Sequence, residues 1–118
     1  MQDIIEHILN ISPSVRYVAL YYEGKLQSVS RSGLSDTSSA ESDKYEELLV
    51  NPTLLTLVNQ RGKIDCGRLD YVLIRYRNFF EFVVPIDRGH VSVGMEPAAD
   101  PLTFVPKIIQ VVSHLRSD

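Results

Sequence analysis

The sequence predicts a single α+β domain, with elements in the order α-β-β-α-β-β-β-α and a five-stranded antiparallel sheet covered by helices. Three observations predict it. Between Leu69 and Glu96 lie three extended runs rich in Val, Ile, Phe and Tyr, joined by connections too short for anything except antiparallel neighbours. A further pair of such runs flanks Glu23-Gly24. Before, between and after these groups, apolar residues recur at helical spacing. A chain of 118 residues suffices for one core, and it shows no internal repeat or domain boundary, so residues 1–118 form one domain.

In chain order, Ile4, Ile5, Ile8, Leu9 and Ile11 share one face of a helix over 2–11, which Ser12-Pro13-Ser14 ends. Residues 15–22 form a strand with Val18, Leu20 and Tyr22 on one face and Tyr17, Ala19 and Tyr21 on the other. Both faces are apolar, as in a central strand. Glu23-Gly24 turns the chain into a return strand over 25–30. The Ser-rich segment 30–42 is a solvated loop and lacks the Gly and Lys pattern of a phosphate-binding loop.

Residues 43–61 read as helix, capped by Ser42 or Asp43, with Glu46 and Glu47 near the positive end of the backbone dipoles. Pro52 either kinks one long helix or opens a second one behind Asn51. On a regular wheel Tyr45, Leu48, Leu49 and Leu55 lie on one side, and Val50, Leu54, Leu57 and Val58 on the other. Either the proline lets each half bury its own face against the same core, or one face is left for a partner. Gly62 is the expected helix stop before a turn over 62–67. The meander strands are 71–76, 79–85 and 90–95, and Gly94 offers a place for a helix to approach the sheet. The last helix follows Asp100-Pro101, becomes regular nearer Thr103, and carries Phe104, Ile108, Val111, Val112 and Leu115 as one stripe.

No catalytic, cofactor or metal residue is expected. His7, His90 and His114 have no metal-like spacing and read as surface or turn histidines. No serine sits in a nucleophile elbow, and Cys66 has no neighbour to activate it. Glu23, Glu81, Asp87 and Glu96 flank strand ends, where charge ordinarily serves turns and solubility. A net charge of −3 argues against a nucleic-acid partner, and Arg75, Arg77 and Arg88 are the nearest approach to a basic cluster. One cysteine excludes an intrachain disulfide. No apolar run is long enough to span a membrane, and Asp3 and Glu6 depart from a signal-peptide layout, so the expected location is the cytoplasm. The tyrosines suit either a small-molecule pocket or a protein interface.

The order of elements resembles the roadblock/LC7 family, with its profilin-like arrangement. The run VRYVALYYEGKLQSVS (15–30) resembles the family's first hairpin, and HVSVGMEPAADP (90–101) its final strand and entry into the last helix. The chain is most similar to small archaeal members of this kind. The resemblance implies a non-enzymatic homodimeric scaffold or regulator, with Ras-like small GTPases as the partner class and no dedicated cofactor. Dimer contacts are expected at Val50, Leu54, Leu57 and Val58, with a sheet edge beside them. The alternative is a PAS- or profilin-like signalling domain that senses a small molecule.

Overall fold

The computed structural model describes residues 2–117. Helix α1 (Gln2–Leu9) leads into strands β1 (Val15–Tyr22) and β2 (Lys25–Ser30). A middle helix follows in three continuous segments: α2 (Ala40–Tyr45), a π turn (Glu46–Val50) and α3 (Asn51–Asp65). Strands β3 (Val72–Arg75), β4 (Phe80–Ile86) and β5 (Gly89–Met95) precede a 3-10 turn (Pro101–Thr103) and helix α4 (Val105–Val112). The five strands form one antiparallel sheet in the order β2-β1-β5-β4-β3. This is the architecture that the sequence predicts, with β1, β5 and β4 at its centre.

The core lies on one face of the sheet. A row of side chains crosses all five strands there, Val29, Val18, Val93, Phe82 and Leu73. Ile4, Ile5 and Ile8 of α1 and Ile108 and Val112 of α4 close over it, buried with it. Arg16 occupies a register shift between Val15 and Tyr17, and this irregularity lets Val15 join Val18 in the same core despite their odd spacing. The first hairpin turns through Glu23 and Gly24, both at positive φ (51° and 82°). That geometry matches the twist of the strands it joins.

The middle helix differs from its sequence reading in three ways. It starts at Ala40, with Ser39 as N-cap accepting from Ser42 N, so Ser42 and Asp43 lie inside it. Gly62 does not stop it: the helix runs on to Asp65, and Cys66 N–H bonds back to Gly62 O. Gly62 is there for space, because a β-carbon on it would stand 2.4 Å from the Gly67 carbonyl oxygen. At Pro52 the outcome lies between the two alternatives: the proline stands in the first turn of α3, as the second-helix reading has it, yet α3 continues directly from the π turn. Gly94 is also reassigned: its nearest neighbour is the Tyr17 β-carbon of the adjacent strand, at 3.4 Å from an added β-carbon, and no helix fills the space.

Alanine ordinarily improves a helix over glycine by about 1 kcal/mol. At Gly62 the clash with Gly67 outweighs that gain, and Gly62→Ala is expected to lose about 1–3 kcal/mol in urea denaturation. A gain in stability would contradict the close packing described here.

Candidate functional site

The second face of the sheet is built from the alternate residues of the same strands. Tyr17, Ala19 and Tyr21 stand on β1, Gly94, Ser92 and His90 opposite them on β5, and Glu81, Val83 and Pro85 on β4. The middle helix covers this face, and it does so with polar side chains. Glu47, Asn51 and Gly62 are buried along its inner stripe, with Leu55 as the one buried large apolar residue. Asn59, on the same stripe, accepts from Leu69 N at 3.0 Å.

Glu47 is the centre of this contact. Its Oε1 accepts from Asn51 Nδ2 at 3.0 Å and lies 2.8 Å from His90 Nε2. Its Oε2 accepts from Ser92 Oγ–H at 2.5 Å. Glu47, Asn51, His90 and Ser92 are all buried, and the Tyr21 ring lies 5.5 Å from the His90 ring. A buried carboxylate costs several kcal/mol of lost hydration unless its oxygens are partnered. Three partners from the helix and sheet meet that requirement, so the same bonds that satisfy the charge fasten the helix to β5. His90 is therefore a core residue, correcting its reading as a surface histidine; His7 and His114 are exposed.

Beside this cluster stands a second carboxylate with no such provision. Glu81 is 4% exposed, and its Oε1 has no hydrogen-bond partner. Burial first, and then the neighbouring Glu47, Glu46 and Asp43 carboxylates, raise its pKa well above the ordinary carboxylate value. Glu46 is raised as well, chiefly by burial, although Tyr76 Oη–H donates to its Oε1 at 2.7 Å; its Oε2 is buried without a partner. Burial and the Glu46 bond together raise the Tyr76 hydroxyl. Arg16, buried at the end of β1, is fully engaged elsewhere. It pairs with Glu96 (3.1 Å) and donates to the carbonyl of Ser35 (2.8 Å), which fastens the Ser-rich loop to the sheet.

The other charged residues of the strand ends do not converge. Glu23 pairs with Arg88, Glu96 with Arg16, and Asp87 accepts from the Ser117 backbone and hydroxyl, which lowers its pKa. Arg75 lies over the Phe80 ring and donates to the Arg77 carbonyl at 2.8 Å, whereas Arg88 is paired with Glu23 at the other end of β4. Cys66 is exposed. Among the described residues, no group of three or more His, Cys, Asp or Glu side chains has a metal-binding arrangement, and no helix is long and apolar enough to cross a membrane.

The outer face of the middle helix carries large apolar side chains among polar ones such as Arg61. Tyr45, Leu48, Leu49, Leu57 and Ile64 are all exposed, Leu57 at 62% and Ile64 at 75%. Of the four residues expected at a dimer contact, Leu57 and Val58 are exposed, while Val50 and Leu54 are half-buried on the flanks. The one-residue widening of the π turn explains the division. A residue contributes about 100° on a helical wheel. Accommodating one extra residue before Asn51 therefore moves Leu57 onto the side of Tyr45, Leu48 and Leu49 and sends Leu55 inward. An exposed apolar stripe with polar residues behind it is the reverse of an ordinary surface helix.

This combination, a five-stranded antiparallel sheet with α1 and α4 on one face and a middle helix on the other, is the roadblock/LC7 type of fold. The chain is similar to the crystal structure of a Roadblock/LC7 domain from Streptomyces avermitilis, with a TM-score of 0.74 at 13% identity, over 97% of this chain and 92% of that one. It is also similar to the gliding protein MglB of Thermus thermophilus, with a TM-score of 0.70 at 8% identity, over 97% of this chain and 86% of that one. No family model matches the sequence, and no curated protein sequence matches it significantly.

In the native state Glu81 holds its proton to higher pH than in the unfolded chain, so folding takes up a proton once pH exceeds the ordinary carboxylate pKa of 4.5. Its contribution is most favourable below that value and is lost as pH rises toward the elevated native pKa. Glu81→Gln keeps the shape and removes the ionisation. It is expected to raise Tm by about 3 °C or more at neutral pH and to change it little in mild acid. Equal shifts at both pH values would contradict the assignment.

Proposed function

We propose that the chain is a non-enzymatic protein-interaction domain. It pairs with a second copy of itself through the outer face of the middle helix and a sheet edge, and serves as a scaffold or regulator. The observation that carries this reading is the exposed stripe Tyr45, Leu48, Leu49, Leu57 and Ile64 on a helix whose inner side is polar. A row of exposed large apolar side chains of this kind is costly to leave in water. A two-fold axis presents the same stripe from both subunits, which suits a self-complementary apolar surface. Leu57 and Val58 belong to the contact, with Val50 and Leu54 at its margin.

The sheet has two edges. Strand β2 exposes Lys25, Gln27, Ser28 and Ser30, a polar edge that discourages pairing, whereas β3 carries Val72, Leu73 and Ile74. The β3 edge therefore suits the interface better. A Ras-like small GTPase is the further partner class that the family resemblance implies, and cytoplasm the corresponding location. The non-enzymatic reading is supported by the polar cluster itself: Ser92 bonds the carboxylate rather than His90, and all of its members are buried.

Light scattering coupled to size exclusion at tens of micromolar tests the pairing. The wild-type chain is expected to elute at twice its 13.4 kDa mass. Leu48→Asp combined with Leu57→Asp is expected to elute as a folded monomer, because both positions are exposed and contribute nothing to the subunit's own core. A wild-type monomer would overturn the reading.

A further inference from the structure

The cleft over Glu81, whose rim shares Tyr45 and Val50 with the proposed pairing face, carries an inference beyond self-association. Gly94 stands opposite both Tyr17 and Glu81 in the sheet register and has no side chain to fill the space between them. The resulting cavity, about 50 Å³, lies against Glu81, Asp43 and Phe79. The same three residues also line an open cleft of about 310 Å³, together with Glu46, Tyr45 and Tyr76. That volume reaches the range of small-molecule sites.

The chemistry of the walls is one-sided. Asp43, Glu46 and Glu81 supply carboxylates, and two buried oxygens among them, Glu81 Oε1 and Glu46 Oε2, have no partner. Native proteins seldom leave such atoms unmet, since each costs about 1–3 kcal/mol or more. The nearest guanidinium, that of Arg16 above the Phe79 ring, is committed to Glu96 and to loop carbonyls. The remaining lining is three aromatic rings with Ser38, Ser42 and Val50, and the Tyr76 and Phe79 rings stand edge-to-face at 5.7 Å. Ring faces attract cations, and ionised carboxylates add charge-assisted hydrogen bonds to them; a cation beside Glu81 favours its ionised form, so binding releases the proton that burial holds there. The three carboxylates do not have a metal-binding arrangement. We propose that this cleft binds a compact organic cation, a guanidinium or primary ammonium group, paired with Glu81 and Glu46 and flanked by Tyr76 and Phe79.

Such a group can arrive on a free metabolite or on an arginine side chain. Calorimetric titration of the full chain at neutral pH uses three probes: butylguanidine, its neutral analogue butylurea, and an end-blocked Gly-Arg-Gly peptide. Butylguanidine is expected to bind in the millimolar range or tighter and to raise Tm, with butylurea at least about tenfold weaker. Binding of the peptide as well assigns the site to a protein side chain; binding of butylguanidine alone assigns it to a free cation. Glu81→Gln is expected to weaken butylguanidine by about tenfold or more. Glu46→Gln, at a half-buried position, is expected to weaken it too, and serves as the test should the first variant not fold. Absence of binding at millimolar butylguanidine would overturn the proposal. So would equal binding of butylurea, or unchanged affinity in a folded variant.

Discussion

The structure depends on how one buried carboxylate is satisfied. Glu47 sits between the middle helix and the sheet with no access to water, and Asn51, His90 and Ser92 supply the hydrogen-bond partners that make this tolerable. Hydrogen bonds to a charged group contribute more than neutral ones, about 1.5–3 kcal/mol each, while an unmet carboxylate would cost more than any of them returns. The contact is thus directional in a way that apolar packing is not. It fixes which side of the helix faces β5, and it fixes the rotation of the whole segment 40–65.

That rotation has a consequence on the opposite side. With Glu47, Asn51, Asn59 and Gly62 turned inward beside Leu55, most of the segment's other large apolar residues are left outward, with Val50 and Leu54 half-buried on the flanks. The π turn makes the arrangement coherent along the helix. Without its extra residue, the inner polar positions before and after Pro52 would fall on different faces, and the outer apolar stripe would be broken at the same point. π turns inside α-helices often sit at functional sites. Here the turn aligns an exposed apolar stripe with a polar anchor, and it also brings Glu46 beside Tyr76 at the mouth of the carboxylate cleft.

Much of the fold is legible in the sequence because it rests on local signals. Alternating Val, Phe and Ile with short turns specify the meander, and the Glu23-Gly24 hairpin and the Ile4 to Ile8 and Ile108 to Val112 stripes follow from spacing alone. The polar face is not legible in the same way. Glu46 and Glu47 look alike in the first turns of a helix, yet one lines a cleft and the other is a core residue. The recurrence of Glu47, Asn51 and Asn59 at multiples of four is a usable signal for an inward polar stripe. The π turn has no such signal, and it is what regroups Leu57 with Leu48. Arg16 is invisible for a different reason: its partners, Glu96 and the carbonyls of the loop over 30–42, come together only when the sheet is assembled. His90 is misread because a histidine beside a Gly turn carries no sequence mark of a distant carboxylate.

The central claim is that the Glu47 carboxylate, more than apolar packing, holds the middle helix on the sheet. Native-state amide hydrogen exchange on Glu47→Ala tests it most directly, residue by residue. The account predicts that amides of 40–65 lose protection selectively, while β1, β4 and β5, held by the core on the other face, keep theirs. Unchanged protection across the helix, or an equal loss throughout the sheet, would contradict it.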